Sequence, residues 1–133
     1  MKTLRLVLIT LAMIPFIAGC KKDNRKIDNG TYTGTFKVIY SSGTQTGTVT
    51  VELKRYSKFF STGNPDFIPA GGSGDYSING DKINFKDKNR WQADFDWNLI
   101  LNEEYYYSFD GNHLKMWADK NNMGYYEYDL YKQ

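Results

Sequence analysis

The sequence predicts an all-β fold, a single antiparallel up-and-down barrel of about eight strands, with a β-sandwich as the alternative. Apolar and polar residues alternate with a period of two along most of the chain after Gly30, and short turn motifs separate these runs. No long window shows a helical period. Strands joined by short hairpins form a meander, and a long meander in a small domain must close on itself to protect its edges.

Composition narrows the class of protein. A chain of 133 residues has room for one domain, and a hydrophobic share of 41% is enough for a core. A single cysteine excludes an internal disulfide framework and a cysteine-rich metal site. Without Lys2 and Arg5, which lie in a predicted signal segment, 15 of the 17 basic residues remain against 15 acidic ones. This balance gives no basic footprint, so we expect no nucleic-acid partner.

Residues 1–19 have the pattern of a secretory signal peptide. A short basic start precedes an apolar run over 6–17, and small residues precede Cys20. The apolar run is shorter than the roughly 20 helical residues that a membrane span needs. The ending Ile17-Ala18-Gly19-Cys20 resembles the lipobox of bacterial lipoproteins. An ordinary signal peptide with a chance cysteine nearby is the alternative.

The lipobox resemblance implies a lipidated Cys20 at the mature N-terminus and a protein anchored to the outer membrane. Residues 20–29 contain one apolar side chain after the cysteine and are predicted to form a flexible linker. Their mixed charges resemble surface-export signals of some Gram-negative lipoproteins. Whether the domain faces the periplasm or the cell surface stays open. We expect a monomer whose membrane contact is this anchor.

The predicted barrel domain spans 30–133, and its turns are marked by glycine. Asn79-Gly80 and Asp110-Gly111 are typical of tight hairpins, and a long Gly-rich and Pro-rich loop runs through Gly63–Gly74. A turn or two of helix is the alternative reading within 94–101. Nine strand-like runs compete for about eight places, so one of them is expected to be short or to form a bend. The runs lie near 32–40, 46–55, 57–61, 74–79, 82–87, 90–95, 103–110, 113–118 and 124–131.

Two segments carry a family resemblance. Gly30-Thr31-Tyr32-Thr33-Gly34-Thr35-Phe36 and Tyr126-Glu127-Tyr128-Asp129-Leu130-Tyr131-Lys132 resemble the first and last strands of small lipocalin-like (calycin-type) bacterial lipoproteins. Tyr32 stands where true lipocalins carry a tryptophan. The resemblance implies a lipobox, a short linker and one barrel, in a family mostly without assigned ligands.

Side chains that carry chemistry are few. His113 is the only histidine, and we interpret it as a solvent-facing residue at the start of a strand. Asp94 and Asp96 would share a face if they lay on a strand, and Glu103 and Glu104 follow shortly after; such a group suits Ca²⁺ or a glycosidase pair. We favour a plain solvent-facing role for these carboxylates. The sequence therefore predicts no catalytic residue, no metal site, no cofactor and no enzyme.

Aromatic residues are the informative set, at 17% of the chain. We expect about two-thirds of them to fill the barrel and the remainder to line a pocket mouth or an outer patch. The leading hypothesis is a binder of a small apolar or amphipathic molecule, or a glycan, with Gly63–Gly74 as a lid. A filled barrel acting as a surface protein-interaction or inhibitor module is the alternative, and an envelope hydrolase ranks third. The pocket candidates are Trp91, Phe95, Trp97, Tyr105, Tyr107 and Trp117.

Overall fold

The structure is a computed structural model that describes residues 25–133. The predicted signal peptide and the predicted lipidation site at Cys20 lie outside the described residues. Within them the chain forms one closed barrel of eight antiparallel strands, each paired with its neighbours in sequence, with the last strand paired to the first. The strands are β1 (Gly30–Tyr40), β2 (Gly43–Lys54), β3 (Lys58–Ser61), β4 (Gly72–Asn79), β5 (Lys82–Asp87), β6 (Glu103–Phe109), β7 (His113–Lys120) and β8 (Gly124–Lys132). The predicted up-and-down barrel is confirmed.

The period-two pattern explains which side chains fill the barrel. On β2, Val49, Val51 and Leu53 face inward and are buried, while their neighbours stay in partial contact with solvent. The same alternation buries apolar side chains on the other strands. Many of the inward-facing positions hold Tyr or Phe, so aromatic rings fill much of the interior. The largest fully buried side chains are Tyr32, Tyr105, Tyr126, Tyr128, Phe36, Phe85, Leu53, Ile83, Leu101, Leu114, Met116 and Leu130.

The barrel has two different ends. The N-terminal end carries short connections: a 3-10 turn at Arg55–Ser57, the Gly80 turn between β4 and β5, and the turn at 110–112. Gly80 has φ +62°, a left-handed conformation that a tight hairpin requires and that glycine adopts without strain. The other end, called the loop end below, carries the long connections 62–71 and 88–102. The two long loops of the described chain therefore lie at the same end of the barrel.

Residues 25–29 cover the N-terminal end. Ile27, the apolar side chain of the predicted linker, is only 5% exposed and belongs to the core. The backbone N–H of Arg25 donates to the carbonyl of Phe109 at 3.1 Å, and the Tyr32 hydroxyl donates to the carbonyl of Asp28 at 2.6 Å. The chain thus reaches β1 along the underside of the barrel. In the described part of the chain, no helix is long and apolar enough to cross a membrane.

One predicted strand is wrong. Residues 90–95 form no strand and belong to the connection 88–102, which contains a short 3-10 helix at Trp97–Leu99. Ala93 is exposed, Trp91 and Phe95 are half-buried, and Phe95 stacks on Phe67 of another loop, so the alternation there does not reflect a sheet. Asp94 and Asp96 consequently do not share a strand face. This segment is the bend among the nine runs, and the helical alternative within 94–101 is realised as a single 3-10 turn.

Candidate functional site

Two long connections pack against each other over the loop end. The N–H of Ala70 donates to the carbonyl of Leu99, and the N–H of Leu101 donates to the carbonyl of Gly71, both at 2.9 Å. The rings of Phe67 and Phe95 stack with centroids 4.4 Å apart. The segment predicted as a lid is therefore a packed cover over this end, although its last residues, 72–74, belong to β4.

A close backbone approach fixes where the first of these loops crosses β2. A Cβ atom at Gly47 would lie 1.8 Å from the carbonyl oxygen of Ile68. A side chain of any size is excluded by this distance, so glycine is required for the contact. The Asn64 side chain braces the same loop, because its amide donates to the Ile68 carbonyl and its oxygen accepts from the Ile68 N–H.

Asp96 ties the second loop to the barrel wall. Its carboxylate accepts hydrogen bonds from the hydroxyls of Tyr40 on β1 at 2.7 Å and Tyr126 on β8 at 2.5 Å. The other oxygen accepts from the backbone and side chain of Asn98. Burial opposes ionisation of Asp96, but these hydrogen bonds prevail and lower its pKa. Burial, together with donation to Asp96, raises the pKa of both tyrosines.

A pocket of about 370 Å³ lies between the 88–102 connection and the ends of β6 and β7. It combines two indole rings with four asparagines and with charged groups of both signs. A wider depression of about 720 Å³ beside the β7–β8 turn contains none of the predicted ligand-binding residues. The lining of the smaller pocket is Asp87, Asn89, Trp91, Trp97, Asn98, Ile100, Asn102, Glu103, Lys120 and Asn121.

Lys120 is the unusual member of this pocket. It continues the inward-facing row of β7 and is only 6% exposed. Its amine donates to the carbonyl of Asn102 at 2.7 Å and lies 4.3 Å from the centroid of the Tyr105 ring. Among residues 25–133 it takes part in no ion pair with a carboxylate. Burial lowers the pKa of Lys120 to about 8, although the charges of Glu103 and Asp96 oppose this shift.

Asp87 at the end of β5 also lines the pocket. One carboxylate oxygen accepts from the indole of Trp91 at 2.7 Å, and the other accepts from the backbone of Ser73 and the amide of Asn89. The N–H of Asp87 donates to the side chain of Asn102. These contacts orient the Trp91 ring and give the Asp87 carboxylate three hydrogen-bond donors.

Below the pocket, the barrel axis is filled by packed rings. Tyr105 meets Tyr128 edge to face with centroids 5.7 Å apart, and Tyr128 packs on Phe36 at 4.8 Å. The hydroxyls of Tyr105 and Tyr128 are fully buried and influence each other electrostatically, yet neither makes a hydrogen bond of normal geometry within the described part of the chain. Burial raises the pKa of both phenols.

The structure brings some of the predicted candidates together and separates others. Trp91 and Trp97 line the pocket, and Phe95 lies next to Trp91 with ring centroids 5.8 Å apart. Tyr105 lies in the core beneath Lys120. Tyr107 also points inward, but its hydroxyl donates to the carbonyl of Gly80 at the N-terminal end.

Trp117 lies on the outer wall of the barrel, where its ring stacks on Tyr106 with centroids 6.2 Å apart. His113 also lies outside. It stacks on Tyr131 at 4.5 Å, and its Nε2 is 2.6 Å from a carboxylate oxygen of Asp129. Asp94 is exposed on the 88–102 connection.

Sequence reasoning missed Lys120. The predicted strand ended at 118, whereas β7 runs to Lys120. The alternation of Leu114, Met116 and Ala118 would have placed Lys120 inward if it had been continued by one step. The prediction ended the strand at the last apolar inward residue, so a charged residue at the next inward position was not included.

Comparisons with known proteins do not assign this chain to a family. No protein-family model, no curated protein and no solved structure matches the chain significantly. The closed eight-stranded antiparallel barrel with its aromatic cluster is compatible with the lipocalin-like fold that the sequence resembles.

Proposed function

We propose that this protein is a lipid-anchored binding protein of the cell envelope whose loop-end pocket holds a small glycan. The observation that carries the proposal is the lining of that pocket, where the indoles of Trp91 and Trp97 stand beside four asparagines. An indole face packs on the apolar face of a sugar ring, and amide groups donate to and accept from its hydroxyls.

The packing of the barrel supports a site at the rim rather than along the axis. Large side chains such as Phe36, Tyr105 and Tyr128 occupy the interior. Ligand contact is therefore proposed for the two loop tryptophans. Trp97 is 59% exposed, and such an aromatic ring on a polar rim is available to a ligand from solvent.

The path of the chain supports the proposed anchoring. Residues 25–29 run along the N-terminal end of the barrel, opposite the two long loops. A lipid on Cys20 would then hold the N-terminal end toward the membrane and leave the pocket facing away from it. This orientation keeps the pocket open to soluble or cell-wall glycans in either the periplasm or the exterior.

A glycan array probed with the full-length chain in detergent micelles tests the proposal. We expect binding that Trp97→Ala weakens at least about fivefold, since loss of an aromatic stacking surface at a binding site removes about 1 kcal/mol or more. Trp117→Ala is the matched control, because it removes the same side chain from the outer wall. Absence of binding to any glycan, or equal loss in the two variants, would reject the pocket as the site.

The alternative, a surface module that binds another protein, has one observation in its favour. On the outer wall Tyr106 is 45% exposed and stacks on Trp117, with the Lys82 amine 5.1 Å from the Tyr106 ring centroid. Such an aromatic pair is typical of protein interfaces. Pull-down with bait carrying Trp117→Ala would separate the two functions, since this change should abolish capture of a protein partner and spare glycan binding.

A further inference from the structure

The buried amine of Lys120 has donors to spare. An ammonium group offers three N–H donors, and the structure assigns one of them to the carbonyl of Asn102. Beyond this bond the amine faces the rings of Tyr105 and Tyr126, at 4.3 Å and 6.0 Å from their centroids. Aromatic faces attract a cation without satisfying its hydrogen bonds. Two donors therefore stay available on a group that also lines the pocket.

The acidic groups around the amine are committed elsewhere. Asp96 on the 88–102 connection accepts from Tyr40, Tyr126 and Asn98, and Asp87 on β5 accepts from Trp91 and its neighbours. Glu103 on β6 is exposed at the rim and makes no ion pair with Lys120 among residues 25–133. An unpaired buried cation is costly in a folded protein, and lysine is almost never buried without a partner.

We infer that the pocket selects an acidic sugar, whose carboxylate takes the two free donors of Lys120 while its ring packs against Trp91 and Trp97. This inference rests on the proposed function, because it names the class of glycan for the same pocket. A ligand carboxylate supplies the direct ion-pair partner that Lys120 does not find within residues 25–133. It also fits the polar lining, since the remaining hydroxyls of the sugar face the asparagine amides.

Glucuronate and glucose form a matched pair of probes, since they differ only in the oxidation state of C6. Their binding to the full-length chain in micelles is followed by the indole N–H signals of Trp91 and Trp97 in nitrogen-15 NMR spectra, with Trp117 as the internal control. We expect glucuronate to bind about tenfold more tightly than glucose, as charge-assisted hydrogen bonds are stronger than neutral ones. Lys120→Met should abolish this preference, so that glucuronate and glucose bind the variant with equal affinity.

The pH dependence provides an independent readout. The groups facing the amine are Glu103 and Tyr105 from β6, Tyr126 from β8 and Asp96 from the loop. Because the amine loses its proton above about pH 8, glucuronate affinity should fall as the pH is raised from 7 to 10, while glucose affinity should not. Equal affinities for the two sugars, or a preference that survives Lys120→Met, would overturn the inference without contradicting the proposed glycan-binding function. If neither sugar shifts the Trp91 or Trp97 signals, the glycan proposal itself fails and this inference fails with it.

Discussion

Replacing Lys120 by methionine should stabilise the folded chain at pH 7, and the gain should disappear as the pH approaches 10. Burial lowers the pKa of this amine from 10.5 to about 8 in the folded state. The unfolded chain therefore holds the proton more tightly, and protonation favours unfolding. At 1.36 kcal/mol for each unit of pKa, the charged amine costs about 3 kcal/mol at pH 7.

Part of this cost is offset in the native chain. The hydrogen bond to Asn102 and the contact with the Tyr105 ring contribute about 1 kcal/mol together. Methionine has similar length and no charge, so Lys120→Met should gain about 2 kcal/mol at pH 7. As the pH rises from 8 toward 10.5 the folded amine becomes neutral, and the cost falls to about 1 kcal/mol at pH 10. The two proteins should then be nearly equal in stability.

Thermal unfolding followed by circular dichroism at pH 7, 8, 9 and 10 measures this difference. In a domain of this size, 2 kcal/mol corresponds to roughly 10 °C in Tm. The raised pKa values of buried tyrosines destabilise both proteins above pH 10 and cancel in the comparison. The exposed Lys86, replaced by methionine, controls for the general loss of a positive charge. A gap between Lys120→Met and the native chain that stays constant from pH 7 to 10 would refute the reasoning.

Three further predictions concern the cover of the loop end and the tyrosine core. Asp96→Asn should lower the free energy of unfolding by about 1–3 kcal/mol at pH 7, because two tyrosine hydroxyls lose a charged acceptor. This difference should narrow as the pH falls below 3.8, since the lowered pKa of Asp96 stabilises the fold only while the carboxylate is ionised. The same change at exposed Asp94 is the control and should alter stability little. Tyr126→Phe should lower the free energy of unfolding by about 1–3 kcal/mol, whereas Tyr128→Phe should be neutral or slightly stabilising. Chemical denaturation measures both changes, and equal losses of stability would contradict the assignment of hydrogen bonds. Gly47→Ala should cost at least about 2 kcal/mol and increase amide exchange in residues 62–71, so unchanged exchange would argue against the close approach.

The barrel was predictable because its signals are local and repeated. Alternation along β2 and the glycine turn at Gly80 each fix a face or a hairpin, and the closed sheet follows from their number. The segment 90–95 shows where this logic stops. Its two rings are half-buried, Phe95 by stacking on Phe67 of the other long loop, and a partly covered loop can produce the same apolar spacing as a strand.

The pocket was only half predictable for a related reason. Trp91 and Trp97 could be proposed from residue type alone, but their grouping depends on the path of the 88–102 connection. That path is fixed by Asp96 through contacts with Tyr40 and Tyr126, which are distant in sequence. No local period encodes such contacts, so the prediction also included Trp117, which the barrel places on the opposite face of its wall.

The positions that break the burial rules are adjacent in space, and this is the strongest reason to look for function at the loop end. Within residues 25–133, Lys120 is a buried cation without a carboxylate ion pair, and its amine lies over the ring of Tyr105. Tyr105 packs on Tyr128, and the two buried hydroxyls have only each other's influence in place of a well-formed hydrogen bond. Each departure costs stability in the folded chain. Elsewhere the interior follows the rules, with apolar side chains such as Val51 and Leu114 fully buried. Proteins generally pair their buried charges and hydrogen-bond their buried polar groups, except where a functional site requires otherwise. Here the exceptions begin at the pocket and extend into the core beneath it.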